Sequence, residues 1–131
     1  MKNYTSLDQS KKLAKILPLD SADMCYKCLD DDPYDIVVRP YHEWKEEYRG
    51  LLISKEARVF PAWSLTSLYE LIGRACIRFE TGLRVDKKWN LFIYGNDYGI
   101  SHHIFSCDNL IDGCVEIIEL FKDHKEVFQK K

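Results

Sequence analysis

The first pattern with chemical potential is Cys25-Tyr26-Lys27-Cys28. Two thiolates at this spacing can grip one zinc ion, but a structural site needs four ligands. The other candidate donors, Cys107, Cys114, His42, His102 and His103, form neither a second Cys-x-x-Cys nor a His-x3–5-His. A redox role requires the pair at a strand-to-helix junction, whereas an acidic run with Pro33 follows here. Two incidental cysteines beside a turn are therefore the expectation, with Cys25 and Cys28 as metal ligands the alternative. No cofactor is expected.

The remaining candidates each meet a physical objection. His102 and His103 are adjacent, and on a strand adjacent side chains point to opposite faces, so the two do not chelate one ion. Cys107 precedes a helix start, where the dipole favours a thiolate, but no histidine of known position falls within reach to act as its base. Asp30-Asp31-Asp32-Pro33-Tyr34-Asp35 lacks the glycine and the closing glutamate of a calcium-binding loop. Arg78, Arg84, Lys87 and Lys88 stand among Trp89, Tyr94 and Tyr98, a mixture used by single-strand nucleic-acid sites. Nineteen basic against twenty-one acidic residues, a net charge of -2, and no RNP or helix-turn-helix signature argue against that use. No Gly-rich phosphate loop, G-x-S-x-G elbow or H-E-x-x-H occurs.

The elements that must position these residues are partly legible. A helix is expected over about 7–17, with Ser6 and Gln9 at capping-box spacing and Pro18 as its stop. Leu19 to Met24 reads as a turn. Residues 25–58 carry little periodic signal, and Ile36-Val37-Val38, bracketed by Pro33 and Pro40, can form only a short or edge strand. Ser64 is placed to cap a second helix, with Trp63 and Leu68 at the spacing of a hydrophobic staple and Gly73 as its left-handed end. Residues 75–107 read as an antiparallel meander turning at Gly95–Gly99. From Asp108 or Asn109, apolar residues recur at three- and four-residue spacing through Phe121, the mark of an amphipathic helix. From about 122 the chain is polar and expected to fray.

A length of 131 residues with 46% hydrophobic and 13% aromatic content suits one domain spanning 1–131 and argues against global disorder. No stretch approaches the ~20 apolar residues of a membrane helix. The opening residues form no apolar signal core, so a cytoplasmic protein without membrane association is expected. Five cysteines, an odd number, are then expected to be free thiols.

Three segments together resemble a family of short uncharacterised bacterial proteins encoded in prophages and conjugative elements of gut bacteria. They are Ser6 to Tyr26, ending in Ala22-Asp23-Met24-Cys25-Tyr26; Pro61-Ala62-Trp63-Ser64-Leu65; and Asp108 to Phe121. The resemblance covers under half the chain and implies no assigned activity, so it transfers no catalytic residue.

The expectation is an α+β fold, with one antiparallel sheet of three to five strands packed against two or three helices. The functional expectation is a small non-enzymatic accessory or protein-interaction protein of a mobile element. Its first candidate contact surface is aromatic and acidic, around Tyr26, Tyr34, Tyr41 and Trp44. The rival is a small-molecule or nucleotide binder, or an enzyme, with a pocket between the sheet and residues 25–58. Nucleic-acid binding through Arg78, Arg84, Lys87 and Lys88 is the third reading.

Overall fold

A computed structural model describes residues 3–29, 35–37, 57–76, 78–96, 98–99 and 102–129. Among these residues the fold is α+β, as expected, but its strands are divided between two small antiparallel sheets rather than gathered into one.

Helix α1 (Leu7–Leu13) starts at the expected capping box: Ser6 Oγ accepts from the Gln9 amide at 3.1 Å, and Gln9 Oε1 accepts from the Ser6 amide at 2.9 Å. It ends earlier than Pro18 alone would require. Residues 14–16 form a turn in which the Ile16 and Leu17 amides both reach back to Leu13 O. That tightening turns Leu13, Ile16 and Leu17 together into the core.

After a 3-10 turn at Leu19–Ser21, the first sheet forms from β1 (Met24–Leu29), β2 (Asp35–Val37) and β3 (Ala57–Ala62), in the order β2-β1-β3. The proline-bracketed Ile36 and Val37 do lie on a short edge strand, opposite Tyr26 and Cys25. The central strand β1 begins where a turn had been expected. Its partner β3 is some thirty residues away, with Met24 opposite Ala62 and Cys25 opposite Pro61.

Helix α2 (Leu65–Ala75) is capped as anticipated, Ser64 Oγ accepting from the Ser67 amide at 3.2 Å. Trp63 and Leu68 are both fully buried. Gly73 does not end this helix; it lies inside it, and the chain leaves at Cys76 with extended backbone. The second sheet is the expected meander, β4 (Arg78–Leu83), β5 (Trp89–Tyr94) and β6 (His102–Cys107), with β5 in the middle.

Helix α3 (Leu110–Glu119) is capped by Asn109, whose side chain accepts from the Asp112 amide at 2.9 Å. Its Ile111, Cys114, Ile117 and Ile118 are fully buried. Gly113 sets the helix-to-sheet distance: a Cβ there would stand 2.7 Å from Leu91 Cδ2 and 3.0 Å from Cys107 Sγ. Only a residue without a side chain lets the helix lie this close.

The segment beyond 122 docks instead of hanging free. A 3-10 turn at Lys125–Phe128 delivers Phe128, fully buried, edge-on against Phe121 at 5.9 Å between ring centres. Arg74 Nη1 donates to Phe128 O at 2.9 Å, tying the turn to α2.

Candidate functional site

The two most distinctive sequence motifs meet in space. Asp23 accepts from the Ser64 amide at 2.9 Å and from the Ser64 hydroxyl, so the 22–26 segment braces the start of α2. Trp63 Nε1 donates to Ser21 Oγ at 2.9 Å, and the Trp63 amide to Thr5 Oγ1 at 3.1 Å. Thr5 and Ser10, both fully buried, share a hydrogen bond of 2.7 Å. This cluster satisfies its own polar groups. Ser64 already accepts from the Ser67 amide while donating to Asp23, which is the work of a helix cap rather than of a nucleophile.

Of the expected contact surface, Tyr26 is described, and its hydroxyl is engaged internally, donating to Thr5 O at 2.7 Å. Its ring meets Tyr4 edge-on at 6.5 Å. Burial, then the neighbouring Tyr4, pushes its pKa up. Tyr34, Tyr41 and Trp44 lie outside the described residues, as does most of the segment that would wall the expected pocket.

The cysteines are distributed over the fold. Cys25 is buried on β1, and Cys28 lies three positions along the same strand, about 10 Å of extended chain away. Cys76 donates its thiol to Ile72 O at 3.0 Å, and burial pushes it up to about 11. Burial likewise raises the Cys114 thiol. Cys107 is half-buried; burial raises its pKa first, and the carboxylates of Asp112, Glu116 and Asp108 raise it further, outweighing a hydrogen bond from its own backbone amide. His102 and His103 stand opposite Ile93 and Phe92 on β6. Among the described residues no group of three or more His, Cys, Asp or Glu side chains could hold a metal ion.

A groove of about 800 Å³ runs between α1 and the end of α3, lined by four lysines, Lys12, Lys15, Lys122 and Lys125, and by three acids, Glu116, Glu119 and Asp123. It is not the pocket expected from the sequence, and its charges are of both signs.

The β4–β5 hairpin is the feature that departs most from a sealed domain. Its core-side face runs Phe79, Thr81, Leu83 on β4, paired with Ile93, Leu91 and Trp89 on β5. Leu91 and Ile93 are fully buried, and Phe79 is half-covered, its ring edge-on to Tyr69 of α2 at 5.1 Å. Further out the cover stops: Leu83 is 61% exposed and Val85, in the turn, fully exposed. Lys87 completes that turn with φ of 66°.

On the other face the register places Arg78 and Arg84 of β4 and its turn on one side with Lys88. Each has a carboxylate partner: Arg78 with Glu80 at 2.7 Å, Arg84 with Asp86 at 3.1 Å, and Lys88 with Asp108 at 3.3 Å. The basic residues thus share a face but alternate with acids along it, over about 20 Å of strand. Such a ladder offers no concentrated positive field to a phosphate backbone.

Comparison with protein-family models, curated proteins and solved structures finds no match. Among the described residues no helix is long and apolar enough to cross a membrane.

No chemical motif marks the exposed hairpin in the sequence. Its signal was Leu83 and Val85 continuing the Phe79 alternation past the Gly82 position, where a strand face would normally turn polar.

Proposed function

We propose that this protein is a small, non-enzymatic accessory protein of the cytoplasm that works by binding another protein, and that the β4–β5 hairpin is its contact element. The single observation carrying this reading is the uncovered apolar tip: Leu83, on the same face as the core residues of its own sheet, and Val85 in the adjoining turn. Burying two such side chains at a contact contributes roughly 1.5–3 kcal/mol each, and solvent exposure forgoes it. The self-satisfied polar cluster around Asp23, Ser64 and Trp63 supports a structural use for these motifs. The resemblance to proteins of prophages and conjugative elements is compatible with an accessory role.

The test is a photo-reactive amino acid placed at Val85 in the native host, compared with the same group at Lys122. The reading expects discrete protein adducts from position 85 that position 122 does not give. Identical adduct patterns from both positions, or none from 85, would refute it.

A further inference from the structure

Resting on that interaction reading, we infer that the partner fitted by the hairpin is a second copy of this chain, joined antiparallel through the outer edge of β4. Among the described residues β4 is a terminal strand of its sheet, with β5 as its strand partner. The turn defines which of its backbone groups point outward. The Arg84 amide donates to Lys88 O at 2.8 Å, so Arg84 and Lys88 form a hydrogen-bonded pair. Alternation along an antiparallel ladder then makes Gly82, Glu80 and Arg78 the residues bonded to β5. Phe79, Thr81 and Leu83 present their N–H and C=O groups to the outer edge. Glu80, Thr81, Gly82 and Leu83 are all exposed, so a strand can approach them.

Residue types select the partner and the register. In a two-fold pairing centred on Gly82, Thr81 of one copy exchanges backbone hydrogen bonds with Leu83 of the other. Glu80 of one copy, already paired with Arg78, then faces Arg84 of the other, already paired with Asp86, which sets opposite charges side by side twice by symmetry. Gly82 meets Gly82 in the close, non-hydrogen-bonded position, where the absence of a side chain helps; no heavy atom lies within 4 Å of a Cβ built there. Each Leu83 is covered by the other copy's Thr81. Moving the axis one residue to Thr81 sets Arg78 against Arg84, and centring it on Glu80 sets two carboxylates face to face. Charge complementarity therefore favours the Gly82-centred register. It also joins two three-stranded sheets into one of six strands with the helices on a common side. A contact this short is that of a reversible dimer.

The experiment is sedimentation of the full chain over a wide concentration range, for wild type and four variants. Thr81→Pro removes an outward N–H without touching the β5 ladder, and it is expected to weaken self-association by about tenfold or more, since the bond is lost twice. Glu80→Arg and Arg84→Glu each place like charges opposite one another and should weaken it similarly. The double variant, E80R with R84E, restores the opposite-charge pair and should recover most of the affinity. Circular dichroism melts check that each variant is folded. A wild-type protein that stays monomeric to millimolar concentration overturns the inference, as does a dimer indifferent to Thr81→Pro and to the charge swap. A monomer that still gives specific Val85 adducts with a different protein overturns self-pairing alone and leaves the interaction reading standing.

Discussion

Replacing Phe128 by alanine tests whether the C-terminal segment belongs to the folded core. The ring is fully buried and meets Phe121 edge-on at 5.9 Å, and the turn that carries it is held by the Arg74 bond to Phe128 O at 2.9 Å. Phe-to-Ala changes in a core cost about 3–5 kcal/mol. This site lies near a chain end, so the emptied segment can swing away and let the α2–α3 cleft relax, which favours the lower end of that range. With a urea dependence of about 1–3 kcal/mol per molar, a loss of about 3 kcal/mol lowers the unfolding midpoint by roughly 1–3 M. Urea unfolding followed by tryptophan fluorescence reads this directly, because Trp63 is buried in the same core cluster. A midpoint shift below about 0.3 M would refute the docking and return residues 122–131 to the fraying tail that their charge pattern suggests.

Three further outcomes follow from the same structure. Asp23→Ala strips the acceptor from both the Ser64 amide and the Ser64 hydroxyl, and should cost about 2 kcal/mol in the same urea assay; a neutral result would mean the brace at the start of α2 is dispensable. With a thiol reagent at pH 8, Cys76 (pushed up to about 11) and Cys114 should stay unlabelled until denaturant is added, and rapid labelling of either in the native protein would contradict their burial. Glu126 is held below its ordinary 4.5 by its own backbone amide and by Tyr98, whose hydroxyl donates to it at 2.8 Å. A depressed folded pKa means that its contribution is present above 4.5 and is lost as pH falls through the lower folded value. An NMR titration should therefore give a Glu126 midpoint below 4.5, with the Tyr98 ring signals moving in step; a midpoint at or above 4.5 would contradict the contact.

Local chemistry was the readable part of this fold. Ser6 with Gln9, Ser64 with Trp63 and Leu68, and the apolar spacing from Leu110 to Phe121 each act within a few residues, and each forms the element its pattern implies. What escaped is non-local. Strand β1, Met24-Cys25-Tyr26-Lys27-Cys28-Leu29, has little alternation because both of its faces are covered at its start, where Met24 and Cys25 are each buried, and its identity depends on β3, some thirty residues away. The second sheet could not be separated from the first for the same reason. Gly73 looks like a helix end, yet α2 continues because Ala75 and Cys76 still reach the core. Phe128 is a lone aromatic among charged residues, and only Phe121 and Arg74 give it a place. The site is less legible than the fold: thiols and imidazoles are the conspicuous residue types, whereas the exposed face of β4 is defined by where the helices stop.

Among the described residues β4 presents an exposed sheet edge, and amide hydrogen exchange along β4, resolved residue by residue, measures that edge directly. In dilute solution Glu80, Gly82 and Arg84 should exchange slowly and Thr81 and Leu83 quickly, with the second pair slowing markedly as protein concentration rises. Thr81 and Leu83 amides that exchange at one rate at every concentration, or that are already as protected as Gly82 in dilute solution, would contradict it.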